Sequence, residues 1–336
     1  MTPGTHGRSN KPCLMTDLCP IYVRMPNWIG DVCMALPSLQ IVLGTGHPVV
    51  VCARPWAKAL LSAYPIAGFI PMSGQWRADR RAVAAFKAAN RHNTPLRPLG
   101  LLLPDSLSSA LVFRLAGLPC AGYRDDGRSL FLKWPIKKPR PRPHAVASWY
   151  GLTRTALLGW QFSQPAEHPP ANLGLKLRSQ ARLDAQHALA EAGLAGQSFV
   201  LIAPTATGLH KGKIKVWPHF DPLTRQLQGR GLTVIMCPPP SEREAALQNA
   251  PTAHCLPSVP LDVYVALTQL ADLVICNDSG VSHLAAAGGA LQLTLFGVTE
   301  HERTGPWSAR AHCLGSMGAW PDLDTVVEKA ISLLPS

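Results

Sequence analysis

The chain has 336 residues, 47% apolar and only 15% charged, which excludes intrinsic disorder and leaves room for two domains with full cores. No run approaches the roughly 20 apolar residues of a membrane span, and nine scattered cysteines without a CxxC pair argue for reduced core thiols, against zinc or a disulfide framework. The net charge of +12 sits in the first half: residues 1–170 carry 20 Lys/Arg against 7 Asp/Glu, residues 171–336 carry 12 against 13. An anionic partner is implied, either a phosphorylated substrate or an anionic membrane face, and nucleic acid is disfavoured because no helix-turn-helix, zinc finger or aromatic RNA platform is visible.

In chain order, residues 1–19 are polar and lack the apolar core of a signal peptide, which gives the expectation of a frayed tail on a cytoplasmic protein. An apolar strand at 20–25 breaks at Pro26-Asn27-Trp28-Ile29-Gly30-Asp31, and helical spacing follows over 32–43. Strands at 49–53, 68–71, 99–103 and 119–123 alternate with helices at 55–63, 78–90 and 106–115. The proline-rich basic run 133–143 is expected to be an exposed loop, since proline removes backbone donors. A helix over 144–158 closes a first domain of residues 20–160, and 161–176 reads as a linker. The scheme then restarts in a second domain, 177–321: helix 177–192, strand 199–203, a long polar loop, helix 218–228, strand 233–237, helices 242–249 and 261–269, strand 270–276. A final helix covers 322–336. Strands alternating with helices give a parallel sheet with right-handed crossovers. The expected architecture is therefore α/β, two doubly wound Rossmann-like domains, with ligands in the cleft beyond the carboxyl ends of the strands.

Two turns carry chemistry. At Asn277-Asp278-Ser279-Gly280 a strand gives way to a small-residue helix, so free backbone N–H groups and the helix dipole favour a phosphate. A capped helix with nothing bound fits the tetrad equally well. His283 lies one turn further in, where it either hydrogen-bonds a ligand or is satisfied within a helix interface. Asp31 opens the helix after the first strand; spacing alone fits an aspartate that complements the helix dipole.

Met25 to Leu39 (MPNWIGDVCMALPSL), Asn277 to Ala287 (NDSGVSHLAAA) with Leu295 to Thr299 (LFGVT), and Lys215 to Pro218 (KVWP) together resemble glycosyltransferase family 9, the ADP-heptose:lipopolysaccharide heptosyltransferases. The element order matches over roughly residues 20–334. The resemblance implies a GT-B type fold, an acceptor-binding first domain, a donor-binding second domain, and inversion at the anomeric carbon with neither cofactor nor metal. It places the general base at Asp31, with Asn27 and Gly30 beside the acceptor, and the donor at Thr205, Thr207, Lys215, Glu242, Asp278, Ser279, Gly280 and His283. Glu242 matches the place where the family binds the ribose, and Asp278 is expected to contact the heptose. His210, Lys211 and Lys213 are also in reach of the diphosphate, which leaves open which lysine holds it. Lys58, Arg114, Lys137, Lys138, Arg140 and Arg142 are candidate contacts to the acceptor's phosphates and acidic sugars. Asp322-Leu323-Asp324 has the spacing of a metal-binding pair, but it opens the last helix and reads as a cap.

The expected partners are a nucleotide-sugar donor, an anionic lipopolysaccharide core acceptor and the cytoplasmic face of the inner membrane. Alternatives are another nucleotide-sugar or glycan within the family, or a non-catalytic nucleotide or lipid-A binder. An NAD-dependent oxidoreductase is disfavoured, because neither half has G-x-G-x-x-G after its first strand.

Overall fold

The computed structural model describes residues 18–91, 96–125, 127–206, 209–210 and 213–334, with the side chains of 209, 210, 213 and 214 undescribed. Residues 1–17 of the tail expected over 1–19, Thr207 and Lys211 lie outside these residues, as do the side chains of His210 and Lys213; the tail expectation fails at Cys19, which is buried with its N–H donating to His47 Nδ1 (3.0 Å). The first half contains β1 (Ile21–Arg24), α1 (Ile29–Met34), α2 (Leu36–Leu43), β2 (Val49–Ala53), α3 (Ala57–Leu60), β3 (Gly68–Pro71), α4 (Trp76–Ala89), β4 (Leu99–Leu102), α5 (Leu107–Leu115), β5 (Cys120–Tyr123), β6 (Trp134–Ile136) and α6 (Ala145–Trp160). The second contains α7 (Ser179–Glu191), β7 (Phe199–Ala203), the hairpin β8 (Leu209–His210) and β9 (Lys213–Ile214), α8 (Phe220–Gln228), β10 (Thr233–Met236), α9 (Arg243–Asn249), β11 (His254–Cys255), α10 (Leu261–Leu270), β12 (Leu273–Asn277), α11 (Gly280–Gly288), β13 (Gln292–Leu295), α12 (His301–Thr304), β14 (Ala311–Leu314) and α13 (Leu323–Leu333).

Two six-stranded sheets result, ordered β3-β2-β1-β4-β5-β6 and β11-β10-β7-β12-β13-β14, and every pair within them is parallel. The strands are apolar on both faces because helices cover both. Ile21 and Val23 of β1 face one cluster and Tyr22 the other; Phe199 and Leu201 of β7 face one and Val200 and Ile202 the other. Strand order reverses beside β1 and beside β7, so the turns after β1, β7 and β12 open into the crevices where such sheets take ligands.

The two halves are joined by core, not only by chain. A single apolar cluster runs from β1, α1 and α2 to α7, α10 and α11, with α1 against α11 and α3 against α10. Segment 161–176 is fastened to both halves: the Gln40 amide donates to the carbonyls of Leu173 (3.0 Å) and Gly174 (2.9 Å), and Leu175 N–H to Ala287 O (3.1 Å). Helix α13 packs on α8 within the second domain's core.

The structure corrects the loop expected over 133–143. Residues 134–136 form β6, an edge strand paired only with β5, and Pro135 is exposed there, where its missing N–H removes no ladder bond. The continuous helix expected over 32–43 divides at Ala35 into α1 and α2, with Pro37 in the first turn of α2.

Candidate active site

The N-terminal wall begins at the carboxyl end of β1. Arg24 is buried there; its guanidinium donates to the carbonyls of Met25 and Cys52 and to Asn27 Oδ1 (2.6 Å). The turn is thus pinned from beneath, with Asn27 held by the protein itself. Asp31 occupies the third helical position of α1. Its carboxylate has no hydrogen bond or ion pair to the described residues, and burial pushes its pKa from 3.8 up to about 6. Near neutral pH it is a carboxylate ready to accept a proton.

Directly opposite stands the start of α11. A Cβ on Gly30 would lie 2.4 Å from His283 Cδ2, and one on Gly280 would lie 3.2 Å from Ile29 Cβ. The two motifs, 250 positions apart in sequence, therefore meet face to face through two glycines. His283 is buried, its Nδ1 lacks a partner among the described residues, and burial lowers its pKa to about 4 against the opposing pull of Asp278. It is a neutral imidazole at pH 7.

The donor half is organised by Asn277, which is fully buried. Its Oδ1 accepts from Trp217 N–H (2.8 Å), and its amide donates to the carbonyls of Ala203 and Thr205 (both 3.3 Å). One side chain thereby ties the Lys215–Pro218 segment and the turn after β7 to the end of β12. Asp278 is buried; its Oδ2 accepts from Thr299 Oγ1 (2.6 Å) and lies 3.4 Å from Lys215 Nζ. Lys215 is thus held at the turn by an acidic neighbour. Ser279 caps α11, its Oγ accepting from Val281 N–H (3.3 Å).

Beside this turn a cleft open to solvent is lined by Ile29, Thr205, Glu242, Tyr264, Ser279 and Gly280, with Met236, Pro238 and Leu284 among its apolar walls. Thr205 Oγ1 donates to Glu242 Oε2 at its rim. A largely apolar cleft whose lining also holds a carboxylate and a helix N-terminus offers the kinds of group that suit a nucleobase, a ribose and a phosphate.

Sequence reasoning missed three residues: Asn277 as the organiser, Thr299 as the partner of Asp278, and His144. The last caps α6, where Nδ1 accepts from Val146 N–H (3.2 Å), so the proton sits on Nε2, 3.0 Å from Gly305 O in the second domain. Its ring lies 4.8 Å from Trp307, whose Nε1 donates to Pro170 O, and it contributes to the low pKa of His283. No spacing rule couples residue 144 to 305; only the pairing of domains does.

Among the acceptor candidates, Lys58 is exposed on α3 after β2, and Arg140 and Arg142 are exposed between β6 and α6. Lys137 shares that loop, whereas Lys138 is held in ion pairs by Asp105 and Asp125. Arg114 is not brought to the cleft. It lines a separate basic cavity with Pro20, Pro48, Ala67, Lys87, Arg91, Arg97, Pro119 and Lys133, at the amino ends of the strands. Helix α5 follows β4 and runs back along the sheet, so its last turn lies at the end remote from Asp31. Asp322 caps α13 through Thr325 N–H (2.8 Å) and Oγ1 (2.9 Å), and no cluster of three or more metal-ligating side chains occurs among the described residues.

An Asn277→Ala substitution leaves the buried Trp217 N–H without a partner, which costs about 1–3 kcal/mol. Thermal unfolding should show that loss, because the Lys215 segment loses its anchor. An unchanged unfolding midpoint would refute the anchoring role.

Two parallel doubly wound domains joined through the seam between α1 and α11, with a cleft beside the turn after β12, give the architecture of a two-domain Rossmann-like enzyme. The model of glycosyltransferase family 9 (heptosyltransferase) matches residues 98–331, and the chain belongs to that family and is a glycosyltransferase. It is 28% identical over 327 residues to lipopolysaccharide heptosyltransferase 2 of Escherichia coli K12, covering 88% of this chain and 87% of that one. It is 26% identical to the Salmonella typhimurium protein of the same name, with 88% and 87% covered. Among solved structures it resembles E. coli ADP-heptose lipopolysaccharide heptosyltransferase II, with a TM-score of 0.72 and 24% identity, covering 94% of this chain and 98% of that one. For E. coli heptosyltransferase WaaC with ADP the values are 0.73 and 20%, with 94% and 99% covered. The fold is GT-B.

Proposed function

We propose that the chain transfers a heptose from ADP-heptose to a lipopolysaccharide core acceptor, with inversion and without a metal. The observation that carries this reading is the unpartnered, burial-raised carboxylate of Asp31, packed through Gly30 against the helix whose N-terminus borders the nucleotide-shaped cleft. Relatives named as heptosyltransferases support the donor and acceptor classes.

In this mechanism the acceptor oxygen bonds to the anomeric carbon as the bond from that carbon to the diphosphate oxygen breaks. The electron pair leaves with ADP, and the hydroxyl proton passes to Asp31. Attack comes from the face opposite the leaving group, which inverts the centre. The charge that grows on the diphosphate meets Lys215, Ser279 and the free N–H groups at the start of α11. Glu242 accepts from ribose hydroxyls, and neutral His283 donates or accepts a hydrogen bond without adding charge. Asp278 orients Lys215 and reaches the sugar through its remaining oxygen.

The test is transfer with ADP-heptose and deacylated core acceptor in the presence of EDTA, run beside UDP-, GDP- and other ADP-sugars. A strict need for divalent metal, or a preferred donor outside ADP-heptose, would overturn the corresponding part of the reading.

No helix among the described residues is long and apolar enough to cross a membrane. The positive first half supports peripheral contact with an anionic lipid surface. Binding to phosphatidylglycerol vesicles is expected to weaken steeply between about 50 mM and 500 mM salt, as screening shortens the reach of surface charge. Salt-independent binding would remove the electrostatic basis.

A further inference from the structure

Trp28 is 72% exposed, the most exposed aromatic side chain among the described residues. Other tryptophans here are occupied: Trp149, Trp217 and Trp307 donate from Nε1 to backbone carbonyls, and Trp134 and Trp160 pack edge to face. The Trp28 indole has neither a hydrogen bond nor a ring contact to the described residues. A large apolar ring left in water forgoes the stabilisation that burial would bring.

Its attachment is rigid. Trp28 is the N-cap of α1 in extended conformation (φ −103°, ψ 148°), and its carbonyl accepts from Val32 N–H (2.9 Å). The preceding residue is clamped by buried Arg24. The N-cap Trp28 and Asp31 stand three positions apart at the start of one helix, so the indole is tethered within one turn of the Asp31 carboxylate. The next residue, Ile29, lines the nucleotide-shaped cleft, whereas Trp28 does not. The ring is therefore exposed within a turn of Asp31 and outside the donor's cavity, which leaves it free to meet the acceptor.

We propose that Trp28 is the stacking platform for the acceptor: the C–H face of a pyranose lies on the indole, which aims a ring hydroxyl at Asp31. An exposed aromatic with two side-chain torsions suits this role, offering wide contact at little entropic cost. This rests on the function proposed above, and it adds the residue that selects the acceptor ring.

The experiment titrates the deacylated core oligosaccharide against wild type, Trp28→Ala and Trp28→Phe at saturating donor. The acceptor KM is expected to rise about tenfold in Trp28→Ala and about twofold in Trp28→Phe, with the donor KM unchanged. In parallel, acceptor binding should quench tryptophan emission in wild type, and that change should vanish in Trp28→Phe. An unchanged acceptor KM in Trp28→Ala, a rise confined to the donor KM, or a quench of equal size in Trp28→Phe overturns the platform. If wild type fails to turn over the chosen donor while the Trp28-dependent quench persists, the donor assignment fails and the platform stands.

Discussion

Asp31→Asn is expected to lower kcat by about 10³-fold, within the range removed with a positioned base, while leaving ADP affinity unchanged. The reason is local: the Asp31 carboxylate has no hydrogen bond or ion pair to the described residues, so the substitution breaks no polar bond of the fold. In wild type kcat/KM should climb with pH through a midpoint near 6, the value to which burial raises the group, and level off above about 7 as the base form saturates. His283, held near 4, is neutral throughout that range and adds no second limb. The same burial makes a prediction for stability. A carboxyl whose folded pKa is raised is favoured when protonated, so its contribution falls as pH rises from about 4 to about 6 and stays low above that. Asp31→Asn should therefore stabilise the fold at pH 7 by about 1–2 kcal/mol, after allowance for water reaching the group, and by nothing at pH 3. An active, unstabilised Asp31→Asn protein would show that the base lies elsewhere.

The residues most readable in the sequence are those whose roles follow from local geometry. A strand that stops at Asn277-Asp278-Ser279-Gly280 before small residues can only turn into a helix, and Ser279 caps it. Runs apolar at every position, such as Phe199–Ala203, announce strands covered on both faces. What stayed hidden depends on contacts between distant segments. Asn277 looked like part of a cap because its partners, Trp217 N–H and the carbonyls of Ala203 and Thr205, lie 60 to 74 positions away. His144 reaches Gly305 across 161 positions.

Strand β6 was masked by Pro135, which the edge of a sheet tolerates and a central strand does not. The two-residue strand β11 is too short for a period to register. Arg114 is different, because the sequence held the information to place it. In a parallel sheet every helix returns the chain toward the amino ends of the strands, so a cation in the last turn of α5 belongs at the face away from the cleft.

Gly30→Ala is expected to cut transfer by about 100-fold while ADP binding changes by less than about threefold, the scale of loss that a misplacement of about 1 Å produces. A Cβ there would stand 2.4 Å from His283 Cδ2 and 3.2 Å from both Cγ and Nε2, closer than packed atoms approach. The imidazole cannot swing aside freely, since it is buried and its helix is seated on β12 and α10. The seam between α1 and α11 must then open, which carries Asp31 away from the turn at 278–280. The nucleotide-shaped cleft is lined almost wholly by the second domain, with Ile29 the contribution of the first, so ADP should still bind. Overpacking of this kind also destabilises by about 1–3 kcal/mol.

Adding His283→Ala to Gly30→Ala removes the ring that the methyl strikes, so the double variant should recover stability relative to the sum of the single changes by about 1 kcal/mol or more, the non-additivity of residues in contact. Activity does not return with it, because the imidazole is gone from the donor turn. Strict additivity in thermal unfolding, or a Gly30→Ala enzyme with normal kcat, would mean that the two domains do not meet through Gly30 and His283 when the transfer occurs.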